Sequence, residues 1–129
     1  MVLDLLRDKL LALHKMLVDH ERADYERKQG SKIPSGEFLN LLLTDPGFDW
    51  LRRISELIVW IDEVLDPDEL TANEEIENVF ARARKLLTPS ELGEPFVTKY
   101  QEALQRDPNV IMAHKEVRDV LNLRPPQSN

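Results

Sequence analysis

Six polar side chains fall where helical spacing calls for apolar ones. His14, Glu21 and Tyr25, with Asp24 beside them, share the side of the first amphipathic segment that carries Leu3, Leu10 and Leu17. Ser55 and Asp62 flank Ile58 on the apolar side of a second segment, and His114 falls between Val110 and Val117 on a third. His14 to Glu21 and Ser55 to Asp62 are both seven-residue steps, so each pair keeps to one helix face. Polar groups removed from water need partners. The pattern therefore predicts that His14, Glu21, Tyr25, Ser55 and Asp62 meet where the two segments pack, with His114 available from the third.

Such a cluster has three readings. It is a hydrogen-bonded network that fixes helix register; it is a ligand-binding site; or Glu21 and Asp62 sit at the edge of the stripe and reach water. A carboxyl pair can carry acid–base chemistry when burial raises one of the two pKa values. Nothing in the sequence fixes the Glu21–Asp62 separation, and no catalytic residue is predicted. The metal chemistry of helical bundles uses Glu-x-x-His or His-Glu-x-x-His spacings, and neither occurs. With only His14, His20 and His114 present, the one metal arrangement left open is a single divalent ion on His14, Glu21 and Asp62. No cofactor is predicted. Asp66-Pro67-Asp68-Glu69 lacks the later ligands and the glycine of a calcium loop and reads as a turn.

The elements that must position these residues are all helical. Residues 2–29 repeat leucine at three- and four-residue steps, and Gly30 supplies the stop. Ser35 is placed to cap a short helix through Phe38, Leu39, Leu42 and Leu43. Asp45-Pro46 restarts the chain into the best-patterned segment, with Trp50, Leu51, Ile54, Leu57, Ile58, Ile61 and Leu65, which is expected to be the central helix. Thr71-Ala72-Asn73-Glu74 has the form of a capping box before Ile76, Val79, Phe80, Ala83, Leu86 and Leu87. Thr88-Pro89 starts a single turn. Phe96, Tyr100 and Ala103 share one side of a helix over residues 95–106, and Asp107-Pro108 opens the last helix with Val110, Ile111, Val117, Val120 and Leu121. No strand-like alternation and no internal repeat occur. The sequence predicts an all-α, single-domain antiparallel helical bundle of five to six helices over residues 1–124, with a frayed tail at 125–129.

Charge and composition narrow the partners. The net charge is −7, and residues 54–81 hold nine carboxylates and no Lys or Arg. Phosphate-rich partners need clustered cations, so neither nucleic acid nor an anionic membrane is expected. The acidic stretch is either a solvated surface or a docking face for a basic protein. There is no cysteine, no run of roughly 20 apolar residues and no signal-peptide pattern, so a cytoplasmic, unprocessed protein is expected. Trp60 points away from Ile58, and Val59 and Val64 also lie off the main stripe. Either this helix is central, or Trp60 marks an interface with a protein partner or a second copy.

Two stretches carry a resemblance. Leu13-His14-Lys15-Met16-Leu17-Val18-Asp19-His20-Glu21-Arg22-Ala23-Asp24-Tyr25-Glu26 is one, and Phe48-Asp49-Trp50-Leu51-Arg52-Arg53-Ile54-Ser55-Glu56-Leu57-Ile58-Val59-Trp60-Ile61-Asp62-Glu63 is the other. Gln105-Arg106-Asp107-Pro108 is a weaker third element. Together they resemble an uncharacterised family of small bacterial all-helical proteins, a domain of unknown function. The resemblance implies bacterial origin and a helical fold, and no activity. The leading expectation is a non-enzymatic interaction or self-associating bundle. The alternative is a small-molecule- or metal-binding bundle with an interior polar site.

Overall fold

The structure is a computed structural model that describes residues 2–68 and 72–125. Among them the chain forms an all-α bundle of six α-helices and two short 3₁₀ segments, with no strand. The helices are α1 (Val2–Gln29), α2 (Ser35–Thr44), α3 (Arg52–Val64), α4 (Asn73–Leu86), α5 (Phe96–Arg106) and α6 (Pro108–Asn122). Pro46–Leu51 and Pro89–Glu91 are 3₁₀.

The expected periodicities bury the expected faces. Leu3, Leu6, Leu10, Leu13 and Leu17 of α1 are all at or near zero exposure. They join Ile54, Leu57, Ile58 and Ile61 of α3, Val79, Phe80 and Ala83 of α4, Phe96, Tyr100 and Ala103 of α5, and Val110, Val117 and Val120 of α6 in one continuous core. Ile111, expected on the buried face of α6, is instead about half exposed, and Ala113 is buried there. A helix of 28 residues is about 42 Å long, and α1 uses that length as a spine. Both α6 and α3 pack on it, and α3 also packs on α4, so α1 and α3 share the central place expected for α3.

The starts of the elements show which local signals were used. Asp45 accepts from the Gly47 N–H at 2.8 Å, and Asp107 accepts from the Asn109 N–H at 2.9 Å. Each is followed by proline, whose missing N–H costs nothing at that position. The segment after Asp45 runs as 3₁₀ before α3 begins at Arg52. Gly30 ends α1 with φ +79°, a conformation that favours glycine, and its N–H closes on Glu26 O at 2.9 Å. One expected cap is corrected. Ser35 is the first residue of α2 and makes no cap; its hydroxyl accepts from Arg22 instead. Helix α4 starts at Asn73 after Ala72, with no side-chain cap. Thr71 of the expected capping box, Glu69 of the expected turn and the end of the expected tail (126–129) lie outside the described residues.

Side-chain pairs fix the direction of packing. Arg7 of α1 bonds Asp62 of α3, while His14 shares a cleft with Ser55. Seven residues forward on α1 thus match seven back on α3, so the two helices run antiparallel. Lys9–Glu116 at 3.6 Å and His20–Asp107 at 3.5 Å set α6 antiparallel to α1 in the same way.

Candidate functional site

The same register decides where the six predicted polar residues go. With Arg7 level with Asp62 and His14 level with Ser55, Glu21 falls level with Phe48, and these two line one cleft. Arg7 and Glu21 are fourteen residues apart on α1, a separation of about 21 Å. Glu21 and Asp62 therefore cannot meet. The expected single cluster is corrected: it divides into four separate places, because residues on one helix face need not lie at one level.

Asp62 is about half exposed and paired with Arg7, whose guanidinium pKa is raised by that hydrogen bond and charge. It is a surface ion pair, not an interior group. His114 lies against α5, where its Nδ1 and the Tyr100 hydroxyl are 2.8 Å apart and the rings meet edge to face. Burial, with help from the Arg118 charge, lowers the His114 pKa; burial raises that of Tyr100. The neutral imidazole and the phenol share this hydrogen bond, with the imidazole tautomer setting which of them donates.

Glu21 is 6% exposed and sits between α1, α5 and the turn at Asp45 in a cleft of about 140 Å³. Burial raises its pKa, opposed by Lys99, whose Nζ stands 4.0 Å away. Asp24 at the rim is lowered to about 2, chiefly by its hydrogen bond from Lys28, with Arg27 adding to it against the effect of burial. Tyr25 packs its ring at 6.3 Å from Phe38 and 6.4 Å from Phe48. It is a bracket between α1 and α2. Among the described residues, no group of three or more His, Asp or Glu is placed to hold a metal ion.

His14 and Ser55 belong to the fourth place, a half-open cleft of about 200 Å³ between α1, α2 and the start of α3. Leu39, Leu42 and Leu43 of α2 form one wall; Val18, Phe48 and Leu51 form the floor and the other side. The Ser55 hydroxyl donates to Arg52 O at 3.1 Å. Burial lowers the His14 pKa, and its imidazole makes no hydrogen bond among the described residues.

The α2 wall is the feature that reasoning from interior polar residues missed. Among the ten residues of α2 only Phe38 is fully buried, held by Tyr25, Phe48 and the Arg22 guanidinium. Leu39 and Leu43 are 56% and 67% exposed. A signal was present: leucines at 39, 41, 42 and 43 circle a ten-residue helix, and a helix apolar all round is either buried or an interface. The expected interface residue, Trp60, proves half-buried against the core, and its Nε1 donates to Glu75 Oε1 at 3.1 Å. Val64 is buried as well, whereas Val59 is 56% exposed, so the extra apolar side of α3 is covered only in part. A further cleft, of about 480 Å³, gathers Arg53, Arg82 and Lys85 with Glu56 and Glu91, so the cations are less dispersed than the sequence indicated.

Compared with family models, with curated proteins and with solved structures, the chain matches none. No described helix is long and apolar enough to cross a membrane.

Proposed function

We propose that this chain is a non-enzymatic protein-interaction module whose docking face is α2. The observation that carries this reading is the uncovered leucine pair, Leu39 and Leu43, at the mouth of a leucine-walled cleft. Large apolar side chains left half in water gain on burial, by up to ~2 kcal/mol each. Contiguous exposed apolar surface marks interaction sites and ligand-binding grooves. The acidic stretch of α3 and α4 then keeps the rest of the surface solvated.

A second reading has its own support. The unbonded His14 imidazole and the Ser55 hydroxyl stand in a largely apolar cleft, which suits a small amphiphile with a hydrogen-bonding head. Size argues against it. The cleft, at about 200 Å³, is smaller than the roughly 300 Å³ at which small-molecule sites begin, and it is the right size for one or two inserted side chains.

The test compares the wild type with a Leu39→Asp/Leu43→Asp double variant. At low protein concentration the native wild type should enhance the fluorescence of 1-anilinonaphthalene-8-sulfonate, and the variant should not. Helical circular dichroism should be equal in the two. Equal dye binding would remove α2 from the reading. A rise in unfolding midpoint with octanoate that requires His14 would favour the amphiphile instead.

A further inference from the structure

The occupant of the α2 face is, we propose, a second copy of this chain, with two α2 helices packed antiparallel about a twofold axis that passes between Leu39 and Asn40. This rests on the reading of α2 as a docking face and names its partner.

Four exposed residues make up the outward stripe of α2: Gly36, Leu39, Asn40 and Leu43. At about 100° per residue they lie on one face, with Gly36 and Leu43 on its midline and Leu39 and Asn40 to either side. A twofold axis perpendicular to the helices sets that stripe against itself. Leu39 meets Leu39 on the side of the cleft, and Asn40 meets Asn40 on the other. Leu43 of each copy lies over Gly36 of its mate. The same segment thus supplies both the projecting side chain and the space that receives it, which is the requirement for an isologous interface. Asn40 facing itself offers a donor and an acceptor to an identical donor and acceptor, a pairing that fixes register in helical dimers.

Gly36 is otherwise unexplained. Its φ is not positive, and a Cβ built on it meets nothing within 4 Å. A side chain would therefore fit there within one copy. Space above Gly36 is useful only to something outside the chain.

The net charge of −7 makes two copies repel across most of their surfaces, so they can meet only through an uncharged face. From Phe38 to Thr44 α2 carries no charge. Antiparallel pairing places each α2 N-terminus beside the C-terminus of its mate, so the helix dipoles also attract. A stripe of this length buries less than the roughly 800 Å² per partner of a standard interface. The dimer is accordingly reversible and concentration-dependent.

The experiment is sedimentation equilibrium of the full chain over a range of concentrations, beside the dye measurement above. Wild type should shift from monomer to dimer as concentration rises. Leu43→Asp should remain monomeric, and Gly36→Ala should weaken dimerisation about tenfold or more while leaving the helical signal intact or stronger. The chain has no cysteine, so Asn40→Cys provides a check that depends on no loss of contact. On mild oxidation it should form a disulfide-linked dimer much faster than Asn78→Cys on α4. A monomer at every concentration with dye binding intact would overturn the second copy and leave the docking face standing. A monomer that also fails to bind dye would overturn both. A dimer indifferent to Leu43→Asp and Gly36→Ala, or equal cross-linking of the two cysteine variants, would place the contact elsewhere and overturn the proposal.

Discussion

Replacing Tyr100 by Phe removes one oxygen from the middle of the bundle and tests the α5–α6 packing directly. Tyr100 is fully buried, stacked on Phe96 with ring centroids 5.4 Å apart, and its hydroxyl lies 2.8 Å from His114 Nδ1. The ring contacts survive in phenylalanine, so the change isolates the hydrogen bond. A buried hydrogen bond of this kind contributes about 1 kcal/mol, and a polar atom left without a partner adds to the loss. His114 is only half-buried, so water relieves part of that second cost. The expected destabilisation is about 1–2 kcal/mol. A chain of 129 residues unfolds with an entropy of about 0.27 kcal/mol/K. The midpoint should therefore fall by about 4–7 °C. Calorimetry or thermal circular dichroism should be run well above pH 6.5, where the imidazole is neutral. A double-mutant cycle with His114→Ala separates the pairwise part from the separate effects. The pH dependence supplies a sign. Burial holds the folded-state pKa of His114 below 6.5, so as pH falls the unfolded chain takes the proton first. The contribution of His114 to stability is complete above pH 6.5 and is lost as pH falls from there through the folded value. An unchanged midpoint in Tyr100→Phe, with no coupling in the cycle, would refute the bond.

Three other changes follow from the same structure. Glu21→Gln should be at least as stable as wild type near neutrality, because burial raises the Glu21 pKa above its ordinary 4.5 and the folded chain holds that proton more tightly than the unfolded one. Wild-type stability should fall as pH rises from 4.5 through the folded value, and the variant should lose that slope; a less stable variant with the slope intact would show that the Lys99 pair outweighs burial. Trp50 is buried, and its Nε1–H has no partner among the described residues, so Trp50→Phe should cost no more than about 1.5 kcal/mol because an unpartnered donor leaves with the ring edge, whereas Trp50→Ala should cost about 3–5 kcal/mol; urea titration of the two measures the difference. Asp62→Asn should leave the thermal midpoint unchanged within error, since the Arg7–Asp62 pair is solvated; a large loss there would restore Asp62 to the interior network.

What sequence determined by itself was local. Leucine at steps of three and four specified α1, and its buried side chains are the ones the spacing selects. Asp-Pro at 45–46 and 107–108 specified two starts, because a side-chain acceptor followed by a residue without an N–H satisfies a helix start with no help from elsewhere. Ser35 shows the limit of such signals, since capping competes with tertiary partners; Arg22 of α1 takes the Ser35 hydroxyl. Face was legible, but level was not. Glu21 was placed on the correct side of its helix, whereas Asp62 stands at the edge of its stripe and reaches water. Only the antiparallel register of α1 against α3 decided that they stand about 21 Å apart along the bundle, a distance that periodicity cannot contain because every turn of a helix repeats the same face. Coverage was likewise a tertiary decision. Trp60 and Leu43 both lay among apolar residues with more than one possible surrounding. Helix α4 comes over the first and no described element comes over the second, because burial depends on which neighbour the whole chain brings alongside.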